Sequence, residues 1–143
     1  MSQLNLWNIF FGFLVIFIAS CAGVFLADEA TKSYLYNQTL QSSWQQLILQ
    51  SAHGHTNSFG MLHILLGLTF PYSKLSLKIK TLQTIGLGAG TFAMSILMFL
   101  KSRGEPVVGY DVLGLVIGVC LSLTFISLLV HCCGIALKLR KIY

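Results

Sequence analysis

Four runs of apolar residues, separated by short polar stretches, account for almost the whole chain: about residues 6–27, 46–70, 81–100 and 111–137. Each is close to the ~20 residues an α-helix needs to cross ~30 Å of hydrocarbon at ~1.5 Å per residue. They predict an all-α fold, a four-span antiparallel transmembrane helical bundle forming a single integral membrane domain over residues 1–143. Composition agrees. The chain is 55% hydrophobic and 9% charged, with mean hydropathy +0.78, whereas about a quarter of the residues of a soluble domain are charged.

The runs differ in their polar content. The first is aromatic-rich (Trp7, Phe10, Phe11, Phe13, Phe17, Phe25) and is read as lipid-facing scaffold, with no polar residue deeper than Ser20 and Cys21. Ile18-Ala19-Ser20-Cys21 fits a lipoprotein processing box, but Met1 to Asn5 lack the basic region of a signal peptide, so the run is expected to persist as a span. On a helical wheel the second run gathers Gln46, Gln50, His53, Thr56, Asn57, Gly60, His63 and Gly67 on one side. His53, Thr56, Gly60, His63 and Gly67 keep the spacing of a packed seam. His55 falls about 200° away from His53 on that wheel, on the side of Phe59, Leu62 and Leu66. Pro71 and Tyr72 end the span. The third run carries Gly86, Gly88 and Gly90 and the fourth Gly114 and Gly118, spacings that let helices approach closely. Cys120, Thr124, Ser127 and His131 form a second polar stripe on the fourth run.

The net charge of +5 does not point to nucleic acid. Its basic residues cluster at run ends, Lys74, Lys78 and Lys80, then Lys138, Arg140 and Lys141, which is the positive-inside pattern. Both termini are therefore expected in the cytoplasm, with loops 28–45 and 101–111 external and the chain in a bacterial inner membrane. Tyr34, Tyr36 and Trp44 in the first of those loops suggest a short interfacial helix, and Asn37-Gln38-Thr39 matches a glycosylation sequon. Cys21, Cys120, Cys132 and Cys133 are expected as free, buried thiols.

Three of the four histidines lie between Ser51 and His63. Ionisable groups within a span are costly and usually face an interior, a cavity or a ligand. Counting residues into the two parallel runs, His63 and His131 differ in depth by roughly 4–5 Å, so the pair could clasp a haem from opposite faces, as bis-histidine ligation requires. His53 and His55 with a methionine sulfur such as Met94 would instead suit copper. The plain alternative is that each imidazole is a helix-packing hydrogen-bonder or a proton relay. No acid–base pair or activated nucleophile stands out, because Asp28, Glu29, Glu105 and Asp111 all fall in loops or at a run end.

The segment Ala52-His53-Gly54-His55-Thr56-Asn57-Ser58-Phe59-Gly60 resembles the His-x-His-x-Asn/Glu-x-x-Gly element of short membrane proteins similar to subunit I of haem-copper oxidases. It also resembles haem- and copper-containing membrane proteins linked to the nitric-oxide response. The resemblance implies a haem b, and admits copper, held by span histidines including His53 or His55. The chain is too short for the full oxidase set of histidines, so electron transfer, gas or redox sensing, or an accessory role in a respiratory-type assembly is expected in place of oxygen reduction. Ala52-His53 also resembles the Ala-His-x-Asn-x-x-Glu element of four-helix membrane glutathione transferases, but Asn57 is out of register and the acidic partner and preceding arginine are missing. A small accessory subunit without cofactor is the non-catalytic alternative. Homo-oligomerisation or docking on a larger membrane complex through the glycine faces is expected in either case.

Overall fold

The computed structural model describes residues 1–37, 44–109 and 111–140. Among the described residues the fold is all helical. Helix α1 spans Gln3–Asn37, α2 Trp44–Thr69, α3 Leu77–Phe92, α4 Met98–Ser102 and α5 Val112–Leu139. A 3-10 turn at Phe70–Tyr72, with Pro71 in its first positions, ends α2 where proline was expected to stop it. A π-helical turn at Ala93–Leu97 joins α3 to α4 in one continuous rod. Three helical stretches, Gln3–Tyr36, Leu77–Ser102 and Val112–Leu139, are long and apolar enough to cross a membrane. The second helix is long enough, 26 residues, but its glutamines, histidines and hydroxyls keep it out of that set.

α1 packs along α2, α2 along the α3–π–α4 rod, and α3 along α5. The outer helices accordingly show large apolar side chains to their surroundings, among them Phe13, Phe17 and Phe25 on α1 and Val119, Phe125 and Leu129 on α5, as lipid-facing surfaces do. The core between α2, the rod and α5 is built on Phe59, Leu66, Phe70, Leu87, Met94 and Ile117.

Small residues set how closely the helices cross. A methyl placed on Gly12 would come within 2.5 Å of the Gly60 carbonyl oxygen, and one on Gly60 within 2.9 Å of the Gly12 carbonyl oxygen. α1 and α2 therefore touch backbone to backbone. Gly86 and Gly90 of α3 instead make room for the side-chain hydroxyls of Ser127 and Thr124 of α5, whereas Gly88 and Gly118 face open space. The Thr124 hydroxyl donates to the Gly86 carbonyl at 2.9 Å, and the Gln83 amide donates to the Ser127 carbonyl at 3.1 Å.

The two ends of the bundle are closed differently. At one end the Lys74 N–H donates to the Gly134 carbonyl, Lys138 Nζ to the Pro71 carbonyl at 2.9 Å and Lys80 Nζ to the Phe70 carbonyl at 2.7 Å. These lysines so bind the α2–α3 turn to the end of α5. At the other end Lys101 pairs with Asp111 across the loop that joins α4 to α5. That hydrogen bond from Lys101 holds the Asp111 carboxyl below its ordinary range.

Several expectations change. α1 runs on without a break to Asn37, so residues 28–37 are helix and not a loop with a separate interfacial helix. Its Lys32 lies 2.5 Å from Asp28 and 3.8 Å from Glu29. Of the sequon, Gln38 and Thr39 lie outside the described residues, as does Lys141 of the second basic cluster. The four cysteines are free, but Cys21, Cys132 and Cys133 are exposed on the helix surfaces and Cys120 is half-buried.

Candidate functional site

His63 is among the most enclosed polar residues, only 1% exposed. Glycines on α2 let α1 approach until Asn8 reaches the imidazole. The Asn8 amide nitrogen donates to the Leu4 carbonyl at 3.0 Å and to Thr84 Oγ1 at 2.9 Å. This fixes its oxygen as the acceptor for His63 Nδ1–H at 3.0 Å. On the other side, His63 Nε2 lies 3.2 Å from Thr91 Oγ1. The Thr91 hydroxyl, which also reaches the Leu87 carbonyl at 3.0 Å, has one proton to share between them. Phe11 closes the edge of the ring with its centroid 4.8 Å away. One imidazole thus ties α1, α2 and α3 together. In an apolar interior an unpaired polar atom would cost ~1–3 kcal/mol, which is why the pairing is complete here.

Asn8 is the residue that the sequence pattern missed. It lies inside the first apolar run as a single amide among aromatics, with no polar stripe to mark it, yet it is 1% exposed and sits at the centre of the network. The reading of α1 as scaffold without deep polar residues is therefore corrected.

His131 meets a different level. Its Nε2 lies 2.8 Å from Thr69 Oγ1, and the Thr69 hydroxyl donates to the Leu65 carbonyl at 2.6 Å, so Nε2–H is the donor of that pair. Nδ1 is buried with no partner. Thr69 is six residues beyond His63 on α2, about 9 Å along the axis, against the 4–5 Å expected from counting. Phe70, which shares the buried core cluster with Leu66, packs edge-on against His131. A porphyrin clasped by His63 and His131 does not fit this arrangement, because His63 has both nitrogens committed to Asn8 and Thr91. The small cleft beside His63, about 270 Å³, lies on the α1–α3 side among Trp7, Phe11 and Gly88.

His53 occupies a third setting. Its ring sits in a notch on α1, where a methyl on Gly23 would come within 2.6 Å of Cε1. The Asn57 amide nitrogen lies 3.3 Å from both His53 Nε2 and the His53 backbone carbonyl. The carbonyl can only accept, so the amide nitrogen is the donor and Nε2 accepts. With Nε2 accepting, the ring proton sits on Nδ1, buried and without a partner. The imidazole lines a cleft of about 350 Å³ whose other walls are Ile18, Ala22 and Leu26 of α1, Leu49 of α2, and Ser95 and Phe99 of the rod.

The copper set is not brought together. His55 is exposed on the opposite side of α2 from the seam, and Met94 is 5% exposed inside the apolar core. Among the described residues no group of three or more His, Cys, Asp or Glu side chains converges. Comparison of the chain with protein-family models, with curated proteins and with solved structures finds no match.

Proposed function

We propose that this chain is a four-span protein of a bacterial inner membrane, with both termini cytoplasmic, serving as a small structural or accessory subunit of a membrane assembly. The observation that carries this reading is the commitment of the inward imidazoles to helix-to-helix hydrogen bonds, His63 to Asn8 and Thr91 and His131 to Thr69. Such bonds hold helices in register, and at His63 they engage both ring nitrogens.

An outward stripe on α2 supports the assembly role. Ser51, Gly54, His55 and Ser58 are all exposed near the middle of that helix, and a methyl on Gly54 would meet nothing within 4 Å. Polar and ionisable groups facing hydrocarbon are costly, and small-xxx-small faces pack against other helices. A neighbouring helix over this stripe removes the cost.

The test is spectroscopic and hydrodynamic. Protein purified from its own membrane is expected to show no Soret band that shifts on dithionite reduction, and to migrate as a multimer or complex that Ser58→Leu disrupts. A stoichiometric haem spectrum lost in both His63→Gln and His131→Gln would refute the reading. Orientation is checked with a membrane-impermeant maleimide: cysteines at Ser2 and Ser76 should label from one side and one at Gly104 from the other.

A further inference from the structure

We propose that the cleft between α1, α2 and the π-helical turn binds the carbonyl-bearing end of a lipid-soluble molecule, an acyl ester or a quinone, with the His53 Nδ1–H group as the donor that fixes it. The cleft is of the size of small-molecule sites, which begin near 300 Å³, and its walls are apolar apart from His53, Thr56 and Ser95. The two hydroxyls already donate to their own helices, Thr56 to Ala52 and Ser95 to Thr91, each at 2.7 Å. His53 holds the donor that nothing in the chain uses.

A donor without a partner selects for an acceptor, and within an apolar cleft a neutral carbonyl is the acceptor least costly to bring in. The cleft is also open at a polar end. Leu26 and Leu49 are shared with an adjoining hollow of about 270 Å³ bordered by Glu29, Ser33 and Gln45. An amphiphile so placed keeps its chain among Ile18, Ala22 and Phe99 and its polar remainder at the mouth. The far wall is the π turn itself, where Ser95 faces the space; π turns are rare and recur at functional sites.

The full chain in dodecyl maltoside, a detergent without a carbonyl, is exposed to a diazirine-bearing methyl palmitate or to its diazirine-bearing hexadecane counterpart, irradiated and mapped by mass spectrometry. The ester probe is expected to label residues 18–26, 49–56 and 95–99 more than the hydrocarbon does. His53→Phe should lower ester labelling about two- to ten-fold, the range for one hydrogen bond, and leave hydrocarbon labelling unchanged. His53→Gln keeps an N–H donor and should retain labelling, which guards against a folding defect in the phenylalanine variant. Ala22→Phe should block both probes. Competition by decyl-benzoquinone or by methyl palmitate tells which source of the carbonyl is preferred. Equal labelling by the two probes that His53→Phe does not change, label outside these segments, or displacement by neither competitor overturns the proposal.

Discussion

Replacing Asn8 with leucine keeps the branched four-atom shape of the side chain and removes the acceptor for His63 Nδ1–H at a site 1% exposed. The variant leaves that N–H buried and unpaired, a cost of ~1–3 kcal/mol. It also loses the bonds to Leu4 and Thr84, and hydrogen bonds between membrane helices average only ~0.6 kcal/mol. Thr84 retains its own bond to the Lys80 carbonyl at 3.1 Å, so that loss is small. The orphaned N–H dominates, and a net destabilisation of about 2 kcal/mol is expected. His63→Leu alone strands the Asn8 oxygen and should cost a similar amount, while Thr91 falls back on Leu87. The double variant removes donor and acceptor together, so its cost should be close to that of either single change, giving a coupling of about 1–2 kcal/mol. Unfolding in mixed micelles with increasing sodium dodecyl sulfate, followed by circular dichroism, measures all three. Single effects that add within ~0.5 kcal/mol would show that His63 is not held by Asn8 and would remove the support for a packing role.

Gly60→Ala forces a methyl to within 2.7 Å of Ile16 Cγ1 and 2.9 Å of the Gly12 carbonyl oxygen, and should cost about 1–3 kcal/mol as overpacking. Gly88→Ala meets nothing within 4 Å and should be neutral or stabilising by up to ~1 kcal/mol; thermal melts of the two variants in one detergent make the contrast. Because the Lys101 hydrogen bond depresses the Asp111 carboxyl, its contribution is present above the ordinary carboxylate range and is lost as pH falls through the lowered value. Asp111→Asn should therefore melt below the parent chain at neutral pH, and the gap should close on acidification; a gap that widens would contradict the pairing. Cys21 and Cys132 are exposed on helix surfaces, so a membrane-soluble maleimide should modify both in the folded protein, with labelling mapped by mass spectrometry.

Much of the inward pattern was legible from periodicity. Thr56, Gly60, His63 and Gly67 on α2 and Thr124, Ser127 and His131 on α5 are buried as their spacing required, because a helix wheel reports which residues share a face. It does not report what stands opposite. Asn8, Gln83, Thr84 and Thr91, which complete the polar contacts, sit among largely apolar and glycine neighbours, so their residue types do not announce the partner each one meets. Depth counted along each run does not report how far one helix is slid past another, and it is Thr69, six residues beyond His63, that meets His131; apolar run limits also do not coincide with helix limits. α1 continues ten residues past Ala27 because Asp28, Glu29, Ala30 and Lys32 are compatible with a helix even where they leave hydrocarbon. Residue type alone offers Met94 as a sulfur partner for His53, whereas its position on the rod turns it into the core.

The π turn at Ala93–Leu97 advances the chain by five residues where the Met98 N–H closes on the Ala93 carbonyl. Compared with an uninterrupted α-helix it holds one surplus residue, and each residue is worth about 100° of rotation. Deleting one position there would let the rod relax to regular geometry while swinging Phe99 and Lys101 around its circumference. Phe99 would leave its wall and Lys101 would turn away from Asp111. The extra residue is therefore a phase setting: it lets the two halves of a single rod address different neighbours, the core below and the cleft above.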